Sequence, residues 1–211
     1  MPKKGSAPDE AIGPVLDGTA WPPPPPPAPE PLPRPEAEEK IEAEPEDAGG
    51  VEHPVALICG SALAAAETGR LAQSCGFLLE FALLEGERAP DFVSESQIVR
   101  LRDYDNFVYD CLVGRDHFVC VFCPDEGDCV NILRQCLDSE AAYLGVFADD
   151  KFKEEVFSRL RELGAPDAEL AAIACPMGLN IGARAPEQAA VAVVAQLLAT
   201  LNGTTKRLTR D

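Results

Sequence analysis

An α/β fold with a doubly wound, mainly parallel sheet is what residues 51 to 203 predict, and three observations carry that reading. Five short apolar runs appear, Val55–Cys59, Leu78–Leu84, Gln97–Leu101, Phe118–Cys123 and Tyr143–Phe147. Segments with helical character separate most of them, the alternation expected of a parallel sheet with helices on its faces. Crossovers of one hand then place the strands most simply in the order 3-2-1-4-5, a Rossmann-like arrangement.

Each helical segment has its own signals. Ser61–Ser74 is rich in alanine and stops before Gly76, and Tyr104–Leu112 is short. Glu126–Leu137 begins behind Asp125, an N-cap candidate whose side chain can accept from the first turn. Asp150–Leu163 carries Phe152, Val156, Phe157, Leu160 and Leu163 at helical spacing and ends at Gly164. The last helix opens at Pro186, a residue suited to a first turn because its missing N–H is not needed there. From Ala189 to Leu201 only Gln196 and Thr200 have side chains able to hydrogen-bond, so this helix should be covered by protein on most sides.

Residues 1–50 read differently. They hold 14 of the 20 prolines, including the run Pro22 to Pro27, with 11 acidic against 4 basic residues. Such a segment buries too little apolar surface to offset its ordering entropy, so a disordered, Pro-rich acidic tail is expected there. A folded domain over 51–203 and a short C-terminal tail, 204–211, complete the organisation.

The net charge of −18 is spread over both parts. Without a basic footprint, no nucleic-acid partner is expected, and an acidic membrane surface would repel the chain. The N-terminus shows Lys3 and Lys4 but no apolar core behind them, and no apolar run has the length of a membrane span. A cytoplasmic location is expected. There the 8 cysteines, all after residue 58, are thiols.

Cys120, Cys123, Cys129 and Cys136 invite a zinc reading, but Cys120 lies inside a predicted strand. Cys129 and Cys136 share one helical face with Ile132 and Leu133, as small core hydrophobes do. With only one short-spaced pair, no metal site is expected. Cys123 ends a central strand, where doubly wound sheets place ligands, and two readings of Cys123 with Cys175 stay open. They face one crevice and suit a soft metal or sulfur transfer, or they are ordinary thiols at strand ends. His53 and His117 have no triad-like partners, so no catalytic residue is assigned.

The stretch from Cys175 to Leu198 pairs a glycine-hinged loop with the apolar helix. Its wording, PMGLNIGARAPEQAAVAVVAQLL, is similar to the closing motif of the XdhC/CoxI accessory proteins, roughly P-I-G-L-D-I-G-A-x-T-P-E-E-I-A. Asn180 stands where that pattern has Asp, and Ala185 where it has Thr, which removes an N-cap at a cost of about 1 kcal/mol.

The resemblance covers about Val51 to Gly203. It implies a Rossmann domain that assists maturation of a molybdenum hydroxylase such as xanthine dehydrogenase. It also implies a molybdopterin ligand, or its dinucleotide form, bound and handed over without turnover. Partners so implied are the hydroxylase client or a cofactor-sulfurating enzyme; a homodimer is compatible with the fold class.

Aligned on the family's first turn, Gly60 keeps the leading glycine, Ala62 replaces the second, and Ser61 lies between them. Glu85, at the end of the second strand, stands near the position of the ribose-binding acid. Asp128 corresponds to an acid retained after the fourth strand. The Tyr143–Phe147 strand matches, but the basic group expected after it is replaced by Ala148-Asp149-Asp150, where an aspartate serves as an N-cap.

The expected binding crevice is therefore Gly60, Ser61, Glu85, Cys123, Asp128, Pro176, Gly178, Asn180 and Gly182. Two alternatives stay open: an NAD(P)-dependent oxidoreductase, and a degenerate Rossmann domain serving as a protein-interaction module.

Overall fold

Five strands hydrogen-bond in parallel in the order β3-β2-β1-β4-β5, the order expected. The structure is a computed structural model that describes residues 53–123 and 125–204. The expectation of a disordered tail at 1–50 falls outside the described residues, as does that of a tail at 204–211 apart from Thr204.

The strands are β1 (Val55–Cys59), β2 (Leu78–Leu84), β3 (Ile98–Leu101), β4 (His117–Val121) and β5 (Tyr143–Val146). The helices are α1 (Leu63–Ser74), α2 (Phe107–Asp110), α3 (Glu126–Leu137), α4 (Asp150–Glu162), α5 (Asp167–Leu170) and α6 (Pro186–Leu201). In register, Val55 pairs with Leu78 on one side and His117 on the other, and Cys59 pairs with Ala82 and Val121.

Period-2 alternation divides the sheet's side chains between two cores. Ala56, Ile58, Phe81, Phe118 and Tyr143 pack under α1 and α6, where Val193, Val194 and Leu197 meet them. Leu57, Cys59, Val119, Val121, Leu144 and Val146 pack on the opposite face, under α2 to α5. Gly69 lets α1 lie close on β2, because a Cβ there would sit 2.8 Å from the Phe81 ring. As the sequence predicts, α6 is largely covered, leaving Val191 exposed on its outer side.

Two elements end two residues earlier than their apolar patterns. The run Phe118–Cys123 leaves the sheet after Val121, since Phe122 and Cys123 stay buried while the backbone turns away. The segment Tyr104–Leu112 is helical only over Phe107–Asp110, and the chain swings out at Leu112, a left-handed residue with φ 51°. No helix among the described residues is long and apolar enough to cross a membrane.

Candidate functional site

The C-terminal ends of β1 and β4, where the chain connections diverge to opposite faces, are where doubly wound sheets form a ligand crevice. Here Phe122 occupies that place. Its N–H donates to Cys59 O over 2.9 Å, and its ring lies 5.2 Å from that of Phe147. Gly60 adopts φ +103°, and a Cβ on it would come within 3.1 Å of the Phe122 carbonyl oxygen. The glycine's conformational freedom thus admits the protein's own main chain at the point where dinucleotide folds admit a pyrophosphate.

Beside it, Ser61 Oγ donates to Glu87 Oε1 over 2.7 Å, and the Leu84 N–H donates to Glu87 Oε2 over 2.7 Å. Glu87 is the acid that reaches back to the β1–α1 turn. Glu85, the acid singled out by position, has an exposed side chain and uses its N–H to bond Leu101 O at 2.8 Å. The two share one turn, and distance from the glycine alone does not choose between them.

The next two helix starts on this edge are anionic. Asp125 caps α3, accepting from Asp128 N–H at 3.1 Å, and Glu126 and Asp128 lie in its first turn. Partial burial, then the charges of Asp125 and Glu87, lift the Asp128 carboxyl above the ordinary range. Asp149 caps α4, accepting from Phe152 N–H at 2.8 Å, with Asp150 next in the helix. Helix N-termini attract anions, but these carboxylates already neutralise that field.

Cys123 and Cys175 lie on the same side of the sheet, in the core under α3 and α4, and both are buried. Burial pushes the Cys123 thiol up to about 12, with the Tyr104 hydroxyl beside it working the other way. Cys175 is pushed up to about 11 by burial, against the pull of Lys153. Cys129, between them in charge coupling, is fully buried. No group of three or more His, Cys, Asp or Glu is placed to hold a metal ion among the described residues.

The glycine loop builds a separate feature. Ala174 bridges to Gly145 in parallel, extending the sheet past β5, and the Cys175–Pro176 peptide is cis. Met177 N–H then donates to Val146 O at 2.8 Å, Gly178 N–H to Gln196 Oε1 at 2.7 Å, and Leu179 N–H to Ala192 O at 3.1 Å. Gln196 Oε1 also accepts from Tyr143 Oη at 2.8 Å. Gly178, with φ +104°, lies so close to α6 that a Cβ would meet Ala192 and Val193 at 3.3 Å.

Between this loop and α6 opens a cleft of about 480 Å³, walled by Phe147, Pro176 to Ala183, Ala189 and Ala192. Four of the expected crevice residues, Pro176, Gly178, Asn180 and Gly182, meet there. Gly60, Ser61, Glu85, Cys123 and Asp128 do not line it. Sequence reasoning did not assign Phe147, Ala189 and Ala192 to the site. The only signal for the two alanines is their small size, three apart on the helix facing the glycines.

At the entry of α6, Ala185 holds the extended N-cap conformation without a side-chain bond, as its identity predicts. Gln188 partly compensates by accepting from Arg184 N–H at 2.8 Å.

This fold and loop have counterparts in known proteins. The family model described as the XdhC Rossmann domain matches residues 56–197. The uncharacterized protein YqeB of Escherichia coli (strain K12) is 31% identical over 70 residues, which are 33% of this chain and 13% of YqeB. A solved structure described as a xanthine dehydrogenase from Bacillus halodurans superposes with a TM-score of 0.58 at 20% identity, over 74% of this chain and 45% of that one. At that identity the likeness is one of fold, and the chain spans less than half the length of either protein. The family match runs from β1 through the glycine loop into α6, so the chain belongs to the XdhC Rossmann domain family.

Proposed function

We propose that this chain is an accessory protein for maturation of a molybdenum hydroxylase of the xanthine dehydrogenase type, and that it holds a molybdopterin-type ligand in the loop cleft for hand-over. The observation that carries the reading is the cleft itself: the stretch most similar to the family folds into its walls. The xanthine dehydrogenase description of the structural neighbour supports the choice of client.

The residues present fit one part of such a ligand. An apolar cleft with a single carboxamide, Asn180, suits a planar heterocycle, and its size lies in the ordinary range for small-molecule sites. They do not fit a pyrophosphate. Phe122 fills the approach to Gly60, and the α3 and α4 starts are acidic.

When bound, the ligand supplies the sulfur atoms that carry molybdenum. This chain's part is to bind and release: Phe147 and Ile181 shield the ring from water, Asn180 orients its polar edge, and Gln196 keeps the loop in place.

A second reading, a domain that recognises only other proteins, is favoured by the same Phe122 and acidic caps. Reconstitution separates them. Client hydroxylase produced with this chain should contain more molybdenum, and have higher activity, than client produced without it. The Ala189→Phe variant should lose the effect while still binding the client. Full activation by that variant would overturn the ligand-holding reading in favour of the interaction module.

A further inference from the structure

The tip of α2 carries two large side chains that the domain leaves in water. Tyr109 is 84% exposed and Leu112 is 80% exposed, on the outer side of one turn. The inner side is fixed. Phe107 and Cys111 are buried in the core, and Gln135 of α3 ties the segment down, donating to Tyr104 O at 2.6 Å and accepting from the Val108 N–H at 3.4 Å.

Leu112 occupies a position that suits glycine. Its N–H donates to Tyr109 O at 3.3 Å and the Val113 N–H donates to Val108 O at 3.0 Å, the bond pair of a Schellman closure, whose left-handed residue is usually glycine. At φ 51° a residue with a Cβ is strained, and Leu112 is the one non-glycine residue with positive φ among the described residues. Burial of the leucine does not offset that strain, because its side chain packs on so little of the domain. Uncompensated strain of this kind concentrates at functional positions.

The charge around the tip is negative. Asp103, Asp105 and Asp110 are exposed, and Cys111 beneath the tip feels the carboxylates of Glu80 and Asp110. Against them stand Arg102 and Arg115, and Arg115 is already matched by Glu140, whose carboxylate accepts from its Nε at 2.8 Å and from an Nη at 2.6 Å. A second copy of this chain would bring the same carboxylates face to face, so the tip does not suit self-association.

We propose that Tyr109 and Leu112 form a docking knob for a partner protein whose surface offers an apolar pocket rimmed by lysine and arginine, and that this partner is the client hydroxylase. The choice of client rests on the reading above; the knob itself does not. Tyrosine is a favoured interface anchor, and the fixed inner side of the turn leaves little conformational entropy to lose on docking. The knob stands over the core that holds Phe107 and Cys111, whereas the loop cleft is walled by α6 on the other face of the sheet, so the two can be altered one at a time.

The test measures the affinity of the full chain for a xanthine dehydrogenase-type hydroxylase from the same organism, produced without this chain. Leu112→Gly and Tyr109→Ser should each weaken binding about tenfold or more, and Asp110→Lys should weaken it too. Affinity should fall as salt is raised. Leu112→Gly should keep or raise the denaturant midpoint of the chain alone, because glycine accepts φ 51° without strain, so its lost binding does not come from a failure to fold.

Unchanged affinity in both Leu112→Gly and Tyr109→Ser would overturn the knob, with the accessory role still read from the client's molybdenum content. An affinity indifferent to salt and to Asp110→Lys would overturn the basic rim. A chain that dimerises, and loses its dimer in Leu112→Gly, would overturn the choice of partner in favour of a second copy. Absence of any binding between the unmodified chain and the hydroxylase would overturn the proposal together with the choice of client, whereas the ligand in the cleft is tested separately by Ala189→Phe.

Discussion

Gly178 donates its N–H to the side-chain oxygen of Gln196 over 2.7 Å, tying the glycine loop to the middle of α6. Tyr143, in β5, donates to the same oxygen at 2.8 Å, so one carboxamide joins the sheet, the loop and the helix. Replacing Gln196 with Leu leaves both donors without that acceptor and should cost about 2 kcal/mol. Thermal unfolding would show this as a fall of roughly 5 °C, with Tyr143→Phe losing about half as much. An unchanged midpoint in Gln196→Leu would show that the shared oxygen contributes nothing.

Gly60 and Gly178 should resist substitution for related reasons. Each holds a positive φ, and each Cβ would press on backbone, the Phe122 carbonyl oxygen at 3.1 Å or the Val193 N at 3.3 Å. Gly60→Ala and Gly178→Ala should each destabilise the domain by about 1 to 3 kcal/mol, read from denaturant midpoints.

The missing cap of α6 can be supplied. Ala185 already has extended dihedrals, φ −128° and ψ 153°, so a hydroxyl there needs no backbone change to accept from the first turn. Ala185→Thr should raise stability by about 1 kcal/mol in the same assay. Asp149→Ala, which removes an observed cap on α4, should lower it by about as much.

Seven of the eight cysteines are buried, and Cys75 alone is exposed. A thiol reagent at neutral pH should modify Cys75 in the folded protein and the remaining seven on unfolding, because buried neutral thiols are poor nucleophiles. Rapid labelling of a second cysteine would contradict their placement.

The same thiols set an alkaline limit. Burial raises Cys111, Cys120, Cys123 and Cys136 from 9.0 to about 12, and Cys175 to about 11. Above pH 9 the unfolded chain has lost these protons and the folded chain has not, so stability falls as pH rises. Each thiol removes about 1.4 kcal/mol per unit until its folded value is reached. Because several buried thiols act in the same direction, the domain loses stability progressively as pH rises above 9. Below pH 8 their contribution is constant. Denaturant midpoints measured from pH 8 to pH 10 would check this, and a midpoint unchanged over that range would contradict it.

The sheet was legible in the sequence because each strand's apolar run is bounded by turn residues, and β1 and β2 have the expected limits. β4 was overextended because Phe122 and Cys123 keep the buried pattern after the backbone has turned, and burial, unlike strand geometry, is all that hydropathy reports. Within the site, Pro176, Gly178, Asn180 and Gly182 were legible through the family wording. Phe147, Ala189 and Ala192 were not, since an apolar wall has no chemical signature until the loop and helix are brought together. Glu87 illustrates the same limit: its approach to Ser61 depends on how the turn after β2 folds back, which spacing from the glycine does not encode.

Native mass spectrometry of the full chain purified from its own host asks whether the loop cleft holds a molybdopterin-type ligand. One pterin-type mass per chain, lost in Ala189→Phe, is the expected result. A bare chain, or a nicotinamide nucleotide in place of the pterin, would contradict it.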